Sequence, residues 1–476
     1  MKTISNYVLR IYKFVNYNLL VIFIVVSSLL IVLNMSQSDL PILHDANRYW
    51  KLADTFVKEG KFSFINYDFP LRGYVFPLII FAIRKLAVII GVREAHFYYV
   101  TMALVYSAFL SVIVPLFIRL LFKKQIRSVQ ILLFSTLAFF FHGSLFFYPL
   151  SDLIAIIFLV MGVYLVLKYP TNLLPSLLAG ICLACASLVR PSYLIVFPFF
   201  IVWVLFYYLH EKKLKIEHTL IRLISIIVGI VIIYIPQIAI NNEHFGTLSP
   251  LIQTQFAYGD GLFMQQLNWG IEIQKYETNV GPEYPSAPVI FNDGHGKYVL
   301  ASWKQRNQVS DDFSLSFRNY VNLIFTYPLD MLIIYARHLF NGLDVVYRSV
   351  YVENVYKRAY LFRFSNYSLW FLVSLYLTKK VKFHYSQIND LLIILISILP
   401  SLVSIPTAIE IRFMFPIFLL AYALVSFWII PDLLSLSSLQ IRTYGKVYLP
   451  YFVIFVVLCF MLSTNTYVGL QYGLIE

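Results

Sequence analysis

Eleven apolar runs, each about long enough to cross a bilayer as a helix, recur along this 476-residue chain: 17–35, 97–122, 129–148, 153–169, 173–189, 192–209, 220–240, 364–379, 388–405, 413–431 and 447–465. A crossing helix needs about 20 apolar residues, and inside hydrocarbon it must satisfy every backbone polar group within itself. The runs predict an all-α polytopic membrane protein. With 60% hydrophobic and 13% charged residues, too little polar surface is left for a soluble chain of this length. The net charge of +13 does not form a nucleic-acid stripe, because the basic residues are scattered between apolar runs.

Those scattered cations set an orientation. With eleven spans and the N-terminus inside, Lys2/Arg10/Lys13, Lys123/Lys124/Arg127, Lys168, Lys212/Lys213/Lys215, Lys379/Lys380/Lys382 and Arg442/Lys446 all fall on the cytoplasmic side. The stretch 74–91 is also apolar, but it carries Arg84 and Lys85 at its centre, each costing about 2.5–3.5 kcal/mol to insert. Counting it as a span would move every later cluster outside. It is therefore expected at the interface, within one outer loop, 36–96. The N-terminal run lacks a small-residue cleavage site and reads as a retained span.

Within that loop, His44–Phe62 reads as an amphipathic helix, with Ala46, Tyr49, Trp50, Ala53, Phe56 and Val57 on one face and Gly60 as its stop. Such a helix is expected to lie flat on a membrane. A second outer loop, 241–363, begins irregularly, with GPEYPSAP and FNDGHGK, and ends in an amphipathic stretch, Phe317–Asp344, broken at Pro328. A surface-lying helix pair is expected there. No internal repeat is visible.

The ionisable groups at the outer span ends form a pattern. Asp45 and Arg48 lie in the first loop, Asp152 opens span four, and Arg190 sits between spans five and six. Asn241 closes span seven, and Glu410 with Arg412 precedes span ten. All emerge on one face, although the topology rests on other residues. Acids and arginines together suit a lipid-phosphate substrate: guanidiniums hold phosphate and a carboxylate serves as base. Each residue also has a plainer reading. Asp45 is placed to cap its helix, or to pair with Arg48 at i+3. Asp152 is placed to cap span four, Arg190 to snorkel to headgroups, and Glu410 and Arg412 to pair at the surface.

Other chemistries have little support. Cys182 and Cys185 form a CxxC inside an apolar run, where small-residue packing is the expected role. His44, Asp45, Glu243 and His244 have no metal-ligand spacing, so no metal and no cofactor is expected. Walker-type glycine loops, GxSxG elbows and HExxH motifs are absent from the sequence.

In order along the chain, five pieces resemble the GT-C-fold glycosyltransferases that use polyprenyl-phosphate sugars, the group of protein O-mannosyltransferases and lipid A aminoarabinose transferases. They are Asp45-x-x-Arg48-Tyr49 with Ala53 and Gly60, Ser151-Asp152, AGICLACASLVRPSY ending at Arg190-Pro191, Asn241 with Phe245-Gly246, and Glu410-x-Arg412-Phe413-x-x-Pro416. The resemblance covers about 17–250 and 400–416. It departs from the family in having Ala46 after Asp45, where many members have Glu, and in lacking the Lys-Pro feature of aminoarabinose transferases, for which Arg72 is a possible stand-in.

The resemblance implies a catalytic core over 1–250, an outer loop over 241–363 and C-terminal transmembrane helices over 364–476. It implies Asp45 as catalytic base, Arg48, Arg190, Arg412 and Arg72 at the donor phosphate, and Asp152, Asn241 and Glu410 in support. The implied activity is inverting transfer of a sugar from a polyprenyl-phosphate donor to a hydroxyl acceptor on glycan, lipid or protein. The implied location is the outer, periplasmic side of a plasma membrane, such as a bacterial inner membrane, with membrane lipids as surroundings. Two alternatives stand beside it: a lipid-linked polysaccharide polymerase or ligase, and a lipid or solute transporter. A transporter is expected to place its site at the bilayer midplane between repeats, where this chain has no polar cluster.

Overall fold

The computed structural model describes residues 2–36, 42–280, 288–292, 294–310, 315–352, 354–355, 359–380, 388–434 and 438–472. Residues 281–287 of the GPEYPSAP stretch lie outside them. The chain is mostly helical, and each of the eleven apolar runs falls on a helix. Among the described residues, seven helices are long and apolar enough to cross a membrane: Glu94–Phe122, Ser128–Phe146, Ser151–Lys168, Pro191–Glu211, Ile216–Phe245, Ile411–Leu434 and Lys446–Val468. Leu19–Met35, Leu173–Val189 and Ile388–Ser404 are apolar but shorter.

The burial of these helices sorts them by position. Ser151–Lys168 and Ile411–Leu434 are each 67% buried over their most apolar window, against 28% for Ile216–Phe245 and 11% for Lys446–Val468. The first two therefore form the centre and the last two the rim. On Ile216–Phe245 the side chains of Ile224, Ile227, Val231 and Ile235 all open outward, at i, i+3, i+7 and i+11. That is a continuous apolar stripe with no protein on it, as a lipid-facing helix requires.

The first-loop helix is shorter than its periodicity suggests. It runs His44–Leu52, continues as a 3-10 turn over Ala53–Phe56, and then enters a hairpin, β1 (Val57–Lys58) with β2 (Lys61–Phe62). Glu59 and Gly60 both have positive φ, 53° and 78°, the conformation of a two-residue hairpin turn. Gly60 thus reverses a strand rather than stopping a helix.

The apolar face of this helix is closed by protein, not by a membrane. Ala46, Tyr49, Ala53 and Phe56 are buried. Tyr49 packs edge-on against Phe76, Trp50 against Tyr98, and Phe56 stacks on Tyr67. Phe76 belongs to the helix Val75–Ile90, which ends at Gly91. Arg84 of that helix holds the loop together. It pairs with Asp54 at 2.9 Å and with Glu94, donates to the Trp50 carbonyl at 3.0 Å, and lies over the Trp50 ring.

The second loop carries more order than its composition suggests. Strands β3 (Ile273–Asn279), β4 (Pro288–Asn292), β5 (Tyr351–Val352) and β6 (Leu470–Tyr472) form one sheet in the order β5-β3-β4-β6, with β3–β5 parallel and the other pairs antiparallel. Phe317–Thr326 and Pro328–Leu343 meet at 106°, so the break falls at Pro328. The inner faces of this elbow bury Tyr320, Leu323, Met331 and Ile334 against Leu267, Val299 and Trp303. Its outer face leaves Phe325, Leu329, Leu332 and Ile333 exposed.

Candidate functional site

Asp45 occupies the first turn of the helix His44–Leu52 but does not cap it. The N-cap residue is Leu43, and no side chain caps the helix. His44, at φ 46°, turns the chain into the helix. The first-turn N–H of Ala46 then donates to Tyr351 Oη at 3.1 Å. That leaves the Asp45 carboxylate free to face two guanidiniums. Arg412 Nη2 donates to Oδ2 at 2.9 Å, and Arg72 Nη2 lies 3.3 Å from Oδ1.

Arg72 arrives through a close backbone contact. A Cβ on the next residue, Gly73, would stand 2.3 Å from the Leu188 carbonyl oxygen, so only glycine lets the first loop approach the end of the helix Leu173–Val189 this closely. The Tyr67 hydroxyl then holds the bend by donating to the Arg72 carbonyl at 2.9 Å. The Arg72 guanidinium lies over the Tyr49 ring, and its Nε has no hydrogen-bond partner.

Arg412 lies in the 3-10 turn Ile411–Met414 that opens the span Ile411–Leu434. Its Nε donates to Glu410 Oε2 at 2.6 Å and its Nη2 to Oε1 at 3.3 Å, so Glu410 and Asp45 share one guanidinium. This turn is held from the second loop, where the N–H of Tyr276 on β3 donates to the Ile409 carbonyl at 3.0 Å.

A second acid–arginine pair adjoins the first. Arg190, just past the helix Leu173–Val189, pairs with Asp152 in the first turn of Ser151–Lys168, where Leu150 rather than Asp152 is the N-cap residue. Arg190 therefore turns inward instead of snorkelling. The Arg190 and Arg412 guanidiniums both lie over Phe413, at 4.7 and 5.6 Å from the ring centroid. Tyr49 Oη bridges back to Ser151 at 3.2 Å. Three guanidiniums thus face three carboxylates, drawn from four distant parts of the sequence.

Two other residues singled out from the sequence sit differently. Arg48 lies over Phe69 at 5.8 Å and forms no ion pair among the described residues, although its charge contributes to the field at Asp45. Asn241 is buried and donates to the carbonyls of Ser249 and Leu251, so it fixes the exit from the helix Ile216–Phe245. His244 meets the Ile65 carbonyl. Among the described residues, no three His, Cys, Asp or Glu side chains gather as metal ligands.

The electrostatics favour an ionised Asp45. Burial alone raises its pKa, but Arg412 and Arg72 outweigh that and hold the carboxyl well below the usual carboxylate range. Asp45 is still 26% exposed, so another molecule can reach it. A concavity of about 340 Å³ runs along the outer side of the same helix, lined by His44, Asn47, Arg48, Lys51, Leu52 and Thr55. None of these six is acidic.

Tyr351, Tyr276 and the buried pair Lys275–Glu277, 3.4 Å apart, also support this region. No apolar–polar alternation marks β3, whose Gln274, Lys275, Glu277 and Asn279 are polar and yet buried. Compared with family models, curated proteins and solved structures, the chain finds no match.

Proposed function

We propose that this membrane protein is an inverting glycosyltransferase that moves a sugar from a polyprenyl-phosphate donor to a hydroxyl acceptor. In this reading the eleven apolar helices all cross, the N-terminus is cytoplasmic, and the site opens on the outer face of a plasma membrane. The observation that carries it is the orientation of Asp45, which faces Arg72 and Arg412 at the end of a span instead of capping its own helix. The gathering of Asp152, Arg190 and Glu410 around the same point supports it.

The chemistry follows from the charges. An ionised Asp45 accepts the proton of the acceptor hydroxyl. The acceptor oxygen bonds to C1 of the sugar as the bond from C1 to the phosphate oxygen breaks, and the electron pair leaves on the phosphate. Attack from the face opposite the phosphate inverts the anomeric centre. Arg412 and Arg72 stabilise the charge that builds on the leaving group, so no separate acid is required. Among the arginines expected at the phosphate, Arg190 shares the Phe413 ring with Arg412, and Arg48 lines the concavity on the helix His44–Leu52.

The test is transfer by purified protein in vesicles supplied with a polyprenyl-phosphate sugar and its membrane's own glycans. Consumption of the donor with an inverted linkage in the product supports the assignment. Movement of intact donor across the vesicle, with no product, supports the transporter instead.

A further inference from the structure

The three guanidiniums of the Asp45 cluster are already paired with carboxylates. Arg72, Arg190 and Arg412 face Asp45, Asp152 and Glu410, and Arg412 divides its donors between two of these carboxylates. A phosphate arriving at Arg412 or Arg72 therefore finds no idle fork. Arg412 Nε is taken by Glu410, and Nη2 is shared by Glu410 and Asp45. The carboxylate best placed to yield is Asp45. Glu410 lies two residues from Arg412 on the same turn and holds it through two nitrogens, whereas Asp45 reaches Arg412 from another loop through one. Asp45 is also the more exposed of the two, at 26% against 19%.

We propose that Asp45 rests in a lock that the phosphodiester of the donor opens: the anion takes Arg412 and Arg72, and Asp45 is released toward the acceptor. This rests on the glycosyltransferase reading and adds an order of events to it. The base is paired, and therefore weak, while the site is empty. Losing its two guanidinium partners makes it a stronger base only when a leaving group is in place. Arg72 is suited to the exchange because its buried Nε has no partner in the resting state.

The lock has an uncommon consequence, in that removing the base should improve binding. Farnesyl phosphate, a short-tailed form of the leaving group that presents the same anion to Arg412 and Arg72, is the probe, with farnesol and inorganic phosphate as controls for the tail and the free anion. Binding is measured on the full chain in detergent by titration calorimetry. Asp45→Asn is expected to bind farnesyl phosphate about tenfold tighter than wild type, because the anion no longer displaces a charge-assisted contact. Equal or weaker binding overturns the lock; if Arg412→Lys nonetheless loses affinity, the site reading survives that result. Absence of farnesyl phosphate binding in both wild type and Asp45→Asn overturns the site reading and the lock together. Inorganic phosphate binding as well as farnesyl phosphate would assign the exchange to the anion alone, and farnesol binding equally would overturn it. Wild-type protein supplies a second readout if the variant does not fold. The infrared carboxylate bands are expected to shift on adding the probe, and unchanged bands contradict release.

Discussion

Arg412 Nη2 stands 2.9 Å from Asp45 Oδ2 across 367 positions of sequence, joining the first loop to the start of a late span. The same guanidinium holds Glu410 through a second nitrogen, so its planar fork, and not its charge alone, organises the site. Arg412→Lys keeps the charge but cannot reach both carboxylates with fixed geometry. Transfer is expected to fall about 10²-fold, in the range of one lost donor to a developing anion. Initial-rate kinetics with varied donor checks this, and wild-type kcat in the lysine variant would contradict it.

Asp152 and Arg190 form the more buried pair, with side-chain exposures of 4% and 16%. Asp152→Asn would leave Arg190 against Phe413 without its counterion. Breaking a buried pair from one side costs about 3–5 kcal/mol, whereas replacing both partners with apolar groups is often neutral. Unfolding in detergent should therefore show a large loss for Asp152→Asn and a much smaller one for the double variant Asp152→Leu/Arg190→Met. A single-variant loss under about 1 kcal/mol, the range of a solvated surface pair, would contradict the buried-pair account.

The pH dependence of stability has a definite sign at Asp45. Its folded pKa is depressed, because Arg412 and Arg72 outweigh the effect of burial. The stability these pairs contribute is fully present above the unfolded carboxyl value, about 3.9, and is lost only as pH falls through the depressed folded value. The stability gap between wild type and Asp45→Asn should be level from about pH 5 to 8 and close in stronger acid. Melting profiles across that range check it; a gap that closes near neutrality would contradict it.

The helices were legible in the sequence because a membrane imposes one period and one length, and both appear in the apolar runs. The acids and arginines were legible because they stand at the ends of those runs, where polar groups are few. What could not be read has a common cause. Glu59-Gly60 looks the same whether it ends a helix or turns a hairpin, and only the pairing of Val57 with Phe62 decides. The strand Ile273–Asn279 pairs with Tyr351–Val352, more than 70 residues away, so no local signal placed Lys275–Glu277 in the interior or Tyr351 against Ala46. Arg72 entered the sequence reading only as a stand-in, and its contact with Asp45 depends on Gly73 meeting the Leu188 carbonyl.

The central claim is that Asp45 is the base, and donor-to-acceptor transfer by Asp45→Asn in membrane vesicles tests it most directly. The account expects a protein that inserts and binds donor lipid while transfer falls by about 10²–10⁴-fold, the usual contribution of a positioned base. Near-normal transfer by that variant would contradict it.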